Sequence, residues 1–358
     1  MSQIIVQPAL PLAPDCTLQE PAESHDAAPQ SLTTCGPVTV SFIIPALNEE
    51  KHIGRCLKSI QQQHIPTGVA SVEVVVVDNQ STDRTAEISR EFGARVIKVP
   101  PGHPSRARNA GVAAARGDWI AFVDADCELP RDWLTKCCGH RTQNHHIVAV
   151  GGIGAPPAER AGWVERAWHA LAHVSIGGEP KRVRWLPTFN MLLSRAAFER
   201  AGGFDESLPT CEDCDLGYKL SALGELILDS RTQVAHLGES RSLLELFRRE
   251  AWRSRGNFRL ALRRPLDWAN WLSLLVPPCL VAGFLVSIGG SLAALSMDWP
   301  QWPWLGLLTA ILGIVVMLVL RKSRSANPAA IAQQTAVYAT YLAGRTAGLF
   351  WSFRRVAR

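Results

Sequence analysis

Two carboxylates one residue apart, Asp124 and Asp126, close the apolar run Trp119–Val123. With Ala125 between them, both side chains can face one side, where they repel each other unless a cation neutralises them. A hard divalent cation such as Mg2+ takes one or two carboxylates and completes its shell with phosphate oxygens. A D-x-D pair by itself is common in solvated turns; here it follows a buried run, and two other apolar runs also end in polar loops. Asn48-Glu49 follow "VTVSFIIPA" and Asp78-Asn79 follow "VEVVVVD". A second acidic cluster, Glu212, Asp213 and Asp215, opens "CEDCDLGYKLSALG".

The elements that must position these groups alternate. The runs "VTVSFIIPA", "VEVVVVD", "ARVIKVP" and "WIAFVD" have strand character. Between them lie "HIGRCLKSI", with apolar residues at helix spacing, "STDRTAEISREF", with N-cap residues at its start, and "SRARNAGVAAARG", an Ala-rich helix stopped by Gly117. This order predicts an α/β fold with a mainly parallel sheet and crossover helices. Such sheets bind ligands outside the carboxyl ends of their strands, which brings the polar strand ends to one edge. Further on, "IVAVGGIGAP" reads as a strand. A strand near 189–193 leads into a helix at Arg195–Arg200, a helix covers Leu216–Leu223, and "ELILDSRTQVAHLG" holds one or two last strands.

Composition changes along the 358 residues. Residues 1–37 are rich in Pro, Ala, Ser, Gln and Thr without a period and read as a disordered tail. The start shows no signal peptide. Residues 271–358 form a membrane region. Leu272–Ser296 carries no charge and, with 302–320, is long enough to cross a hydrocarbon core of ~30 Å. Basic residues flank this pair on both sides, which puts both of its ends in the cytoplasm. Pro277-Pro278 should kink the first span. A third segment, about 329–353, carries Gln333, Gln334 and Arg345 and either spans or lies in the interface. Residues 241–270 read as basic amphipathic helices lying against an anionic membrane surface. The formal charge of +5 is mild and gives no reason to expect a nucleic-acid partner. Nine cysteines at irregular spacing suggest free thiols rather than a disulfide framework or a zinc site.

The blocks "SFIIPALNEEKHIGRCLKSI", "VEVVVVDNQSTDRTAEI", "SRARNAGVAAARGDWIAFVDADCEL" and "GGFDESLPTCEDCDLGYKL" resemble, in order, the family 2 glycosyltransferases of the GT-A fold. The resemblance implies a membrane-anchored bacterial enzyme with a Rossmann-like domain of mixed, mainly parallel sheet over 38–240. It implies a nucleotide-diphosphate sugar donor and a divalent metal, Mg2+ or Mn2+. Pro45, Ala46 and Glu49 match the loop that holds base and ribose, and Asp78 the acid that contacts the base. Ser81 and Asp83 lie in the same segment and also suit helix capping. Arg106, Asn109 and Gly111 match a helix closing over the nucleotide, and Gly117-Asp118 its ending. Asp126 matches the direct metal ligand, with Asp124 reaching ribose or sugar.

In inverting members the Asp of an "ED" pair is the general base, which makes Asp213 the expected base, with Glu212 and Asp215 as alternatives. Phe204 and Asp205 match the "GGFDE" turn, with Asp205 near acceptor or sugar. His236 corresponds to a histidine that touches diphosphate or metal, or else is a core histidine. Arg248-Arg249-Glu250-Ala251-Trp252 departs from the Q-x-x-R-W motif of processive members, which argues against a polymer synthase; Trp252 and Arg255 are placed near the acceptor. The hairpin and its basic collar point to a lipid-linked or glycolipid acceptor, with the catalytic domain on the cytoplasmic side of a bacterial inner membrane. Two other readings remain. A nucleotidyltransferase would carry a glycine-rich basic loop after the first strand, where this chain has the acidic "PALNEEKHIG". An inactive membrane scaffold would have lost acids that are all present here.

Overall fold

The computed structural model describes residues 37–144, 146–172, 178–263, 268–323 and 325–356. Apart from Pro37, the expected tail lies outside the described residues. The first half follows the expected alternation: β1 (Val38–Ala46), α1 (Ile53–Gln61), β2 (Val69–Asp78), α2 (Thr85–Glu91), β3 (Arg95–Lys98), α3 (Pro104–Ala114) and β4 (Trp119–Val123). Then come β5 (Cys127–Glu128), α4 (Trp133–Gln143), β6 (Ile147–Gly151), α5 (Trp163–Ala172), β7 (Lys181–Val183), β8 (Asn190–Ser194), α6 (Arg195–Arg200), α7 (Glu212–Ser221), β9 (Glu225–Leu228) and β10 (Ala235–His236). The C-terminal part holds α8 (Leu243–Arg253), a 3-10 turn (Ser254–Gly256), α9 (Asn257–Arg263), α10 (Trp268–Ser296), α11 (Trp302–Lys322) and α12 (Pro328–Val356).

The described strands form a mixed sheet in the order β3-β2-β1-β4-β8-β6-β9-β7. β1 to β4 are parallel, β8 runs antiparallel between β4 and β6, and β9 is parallel to β6. The carboxyl ends of β1, β2, β4, β6 and β9 therefore share one edge. Strand side chains alternate between faces. Phe42, Ile44, Ala121 and Val123 pack under α1 and α4, while Ile43, Ile120 and Phe122 pack under α3, α6 and α7. Gly111 lets α3 approach closely: a Cβ there would stand 2.3 Å from Ile43 Cγ2 and 2.9 Å from Val77 Cγ2.

The helix expected over Leu216–Leu223 starts earlier, at Glu212. Its three acids occupy the first turn, where the exposed N–H groups favour negative charge. Two helices, Asn270–Ser296 and Trp302–Lys322, are long and apolar enough to cross a membrane. α10 continues through Pro277 and Pro278. The third segment forms the single helix α12, whose Val337, Tyr338, Tyr341 and Leu342 join one apolar cluster with α5, Leu246 of α8, and Val315 and Val319 of α11. It is thus wedged between the sheet domain and the apolar hairpin.

Candidate functional site

The loops after β1 and β2 are laced together. Ala46 pairs with Asp78 in register, and the Asn79 N–H donates to Ala46 O (2.9 Å). Asn48, at φ +56°, accepts from Thr82 N (2.9 Å) and donates its own N–H to Ser81 Oγ (3.0 Å). The Glu50 N–H donates to Asp83 Oδ2 (3.1 Å), and the Glu49 N–H to Thr85 Oγ1 (2.7 Å). Asp83 Oδ1 also accepts from Thr85 N (3.0 Å), and buried Asp78 accepts from Ser81 N (2.8 Å). Ser81 and Asp83 hold this loop pair together, and of the two only Asp83 bonds the start of α2, whose N-cap position is Arg84. Pro45, Ala46, Glu49 and Asp78 thus stand along one rigid wall. A groove of about 540 Å³, lined by Gln80, Ser81, Thr82, Lys98, Val99 and Pro100, opens beside it, with none of the acids in its lining.

The centre of the site is a residue that the sequence reading passed over. Arg108 is almost wholly buried and donates from Nη2 to Asp124 Oδ1 (2.8 Å) and from Nη1 to Glu212 Oε1 (2.9 Å). One guanidinium joins the end of β4 to the start of α7. Burial alone would raise the Asp124 carboxyl, but Arg108 overrides it and holds Asp124 below its ordinary pKa. Arg106, the arginine expected at the nucleotide, lies instead on the exposed face of α3 and pairs with Glu206 (3.2 Å). Arg108, three residues before the close-packed Gly111, is on the face turned to the sheet. Asn109 clamps the Gly202–Glu206 turn: it accepts from Phe204 N (3.0 Å) and donates to Phe204 O (2.9 Å) and Glu206 Oε1 (3.0 Å). Asp118 accepts from Thr39 N (2.8 Å), a structural role at the opposite strand ends.

Among the acids of α7, Glu212 belongs to Arg108, and Asp215 pairs with Lys219 (2.7 Å). Asp213 is fully buried between them, and its Oδ1 accepts from Cys214 N (2.8 Å).

Asp126 and His236 come together because β5 pairs with β10, with His236 opposite Cys127. His236 Nε2 stands 3.7 Å from Asp126 Oδ1. Burial, then Asp124 and Glu49, push the Asp126 carboxyl up to about 7. Burial also lowers the His236 pKa, so the ring is neutral and can ligate. Both ring nitrogens are buried without a hydrogen-bond partner. Orphaned nitrogens in front of a destabilised carboxylate fit a bound divalent cation. Cys127 completes the cluster geometrically, but burial raises its pKa well above the ordinary value and keeps it a thiol, a poor ligand for a hard ion. Gly238 makes room for the carboxylate: a Cβ there would stand 2.2 Å from Asp126 Oδ2.

The residues assigned to the acceptor lie further out. Asp205 accepts from Ser207 N (2.8 Å) and pairs with Arg263 of α9; burial is outweighed by these bonds, and its pKa falls to about 2. Trp252 on α8 and Arg255 in the 3-10 turn are half-buried. Arg249 and Arg253 of this segment, one helical turn apart, act electrostatically on His236 of the cation cluster. Arg249 donates to Gly238 O, and both arginines contribute to the low His236 pKa. Arg253 is buried, bonded to Glu250 (2.6 Å), with Nε and Nη2 unpartnered. Their i, i+4 spacing was the available signal.

Residues 41–201 match the family described as glycosyl transferase family 2. The chain is 28% identical over 202 residues to glycosyltransferase AglE of Haloferax volcanii, covering 52% of this chain and 65% of that protein. It is 44% identical over 99 residues to 4,4'-diaponeurosporenoate glycosyltransferase of Staphylococcus aureus, covering 26% of this chain and 25% of that one. The match thus spans less than two thirds of either relative's length. In fold it is similar to the mannosyltransferase PcManGT of Pyrobaculum calidifontis, solved with GDP-Man and Mn2+, with a TM-score of 0.54 at 20% identity over 90% of this chain and 87% of that one. The four ordered blocks, the mixed sheet with its acids on one edge and the family match agree: residues 41–201 match a family 2 glycosyltransferase domain, and the chain has the GT-A fold.

Proposed function

We propose that the protein transfers a sugar from a nucleoside-diphosphate sugar to a lipid-linked acceptor at the cytoplasmic face of a membrane, with inversion at the anomeric carbon. The observation that carries this reading is the shared guanidinium of Arg108, which ties Asp124 at the strand end to Glu212 beside Asp213. Asp213, fully buried in the first turn of α7 and matching the Asp of the family's ED pair, is the acid assigned to proton transfer. It takes the proton of the acceptor hydroxyl as that oxygen bonds to the anomeric carbon. The bond from that carbon to the diphosphate oxygen breaks, and the nucleoside diphosphate leaves with the electron pair. Asp126 and His236 are the residues that would hold a divalent cation, which when bound offsets charge on the leaving diphosphate. Arg249 and Arg253 add fixed positive charge on the same side, in a buried setting where it acts strongly. The wall of Pro45, Ala46, Glu49 and Asp78 takes base and ribose. The α10–α11 hairpin and the basic α8–α9 segment support a membrane-borne acceptor.

The test is donor binding. Full-length protein in detergent is heated with UDP-GlcNAc, UDP-glucose or GDP-mannose, each with and without Mg2+ or Mn2+. One donor at about a hundredfold excess over its Kd should raise the Tm by on the order of 5 °C, only with the cation, and not in Asp126→Ala. Failure of every donor on folded protein overturns the reading.

A further inference from the structure

The reaction above leaves Arg345 of α12 unused. The groups that it bonds are neutral, and the Glu250 carboxylate of α8 acts on it without a hydrogen bond. Its Nη2 donates to Ser273 Oγ of α10 (2.9 Å), and its guanidinium lies 5.6 Å from the centre of the Tyr341 ring. With its carboxamide oxygen turned towards Arg345, Asn257 accepts from Nη1 (3.1 Å) and from Nη2. The Nε is shielded from solvent and has no hydrogen-bond partner. A cation held this way between membrane helices and catalytic domain is costly to desolvate and calls for a reason beyond packing.

The contact leads into the acid cluster. Asn257 opens α9, and with its oxygen on Arg345 the other end of its carboxamide, the NH2, faces Cys211 Sγ (2.9 Å) and donates to it. Cys211 immediately precedes Glu212-Asp213 and has φ +66°, the left-handed region that an L side chain enters only when its surroundings hold it there. A second clasp acts on the preceding residue: Thr210 Oγ1 donates to Arg253 O (2.6 Å) and accepts from Gly256 N (2.8 Å). Both clasps come from the α8–α9 segment, and α12 is fitted to that segment by glycines. A Cβ on Gly344 would stand 2.8 Å from Phe247 O, and one on Gly348 2.1 Å from Ala251 O.

We infer that Arg345 is a positioning residue: through Asn257 it holds the left-handed turn at Cys211, and so fixes the first turn of α7 from which Glu212 and Asp213 project. α12 is then part of the catalytic apparatus as well as a neighbour of the membrane. The inference rests on Asp213 as the base.

Hydrogen exchange read by mass spectrometry on full-length protein in detergent tests it. Arg345→Met and Asn257→Ala should each speed exchange of the Cys211–Asp215 amides about tenfold while leaving β1 and β2 unchanged, and Arg345→Lys should restore most of the protection. With a donor from the panel above, the Met variant should lose kcat about tenfold at unchanged donor KM. Its binding of UDP or GDP with Mn2+ should equal that of the parent. Unchanged exchange at 211–215 overturns the inference. So does faster exchange across the whole catalytic domain, which marks general loosening. A parent protein that binds neither UDP nor GDP counts against the donor site alone, and the exchange measurement still decides the role of Arg345.

Discussion

Replacing Arg108 by methionine would leave Asp124 and Glu212 buried with no counter-charge between them. Removing one partner of a buried ion pair costs about 3–5 kcal/mol, so thermal unfolding of Arg108→Met should show a marked drop in Tm, whereas Arg106→Met on the exposed helix face should show almost none. The contrast also marks how far single residues were legible. The acids Asp124, Asp126 and Asp213 announce themselves by type and place. The arginine that pairs with Asp124 and Glu212 stands two residues on from the one chosen. The sequence held a cue: Arg108 lies at i−3 and i−4 from Gly111 and Val112, which face the sheet. Another carboxylate sets an acid limit. Asp229, fully buried, accepts from Arg231 and from His140 (2.7 Å); these bonds outweigh burial and lower its pKa to about 2. Its contribution is present above about pH 4 and is lost as pH falls towards 2. Asp229→Asn should therefore lower the Tm at pH 7, and the gap from the parent should close between pH 4 and pH 2.

At the scale of elements, the parallel half of the sheet was readable because each strand is a short β-branched run followed by a helix at its own period. The antiparallel insertion of β8 was not, because periodicity reports which faces are buried and not the direction of the neighbouring strand. β5 and β10, two residues each, give almost no pattern, yet their pairing puts His236 beside Asp126. The turn after β10 should be as sensitive as the acids themselves. Gly238→Ala would press a methyl against Asp126 Oδ2, so Mn2+ binding measured by calorimetry should weaken at least tenfold with little change in Tm. Gly111→Ala should do the reverse. It wedges α3 off β1 and β2, costs about 1–3 kcal/mol, and leaves the cation ligands in place.

For the whole molecule, the two long apolar helices were the most legible part, since length and hydropathy alone pick them out. The packing of α12 was not, because its polar residues fit an interfacial or a spanning helix equally well until the glycines that meet α8 are seen in place. If α10 and α11 cross a bilayer, the exposed turn at Asp298 lies on the side opposite the catalytic domain. In intact cells, Asp298→Cys should gain labelling by a membrane-impermeant maleimide over the parent chain. A cysteine introduced at exposed Arg55 should be labelled only after lysis.

The laced loops after β1 and β2 have a thermodynamic consequence. Asn48, Glu50, Ser81, Thr82 and Asp83 already use their hydrogen bonds on one another, so a nucleoside docking there, as proposed, would order little and cost its host little chain entropy. On that proposal the choice between a purine and a pyrimidine would fall to steric fit against a fixed surface, and a donor of the wrong base would be refused at the door instead of being accommodated.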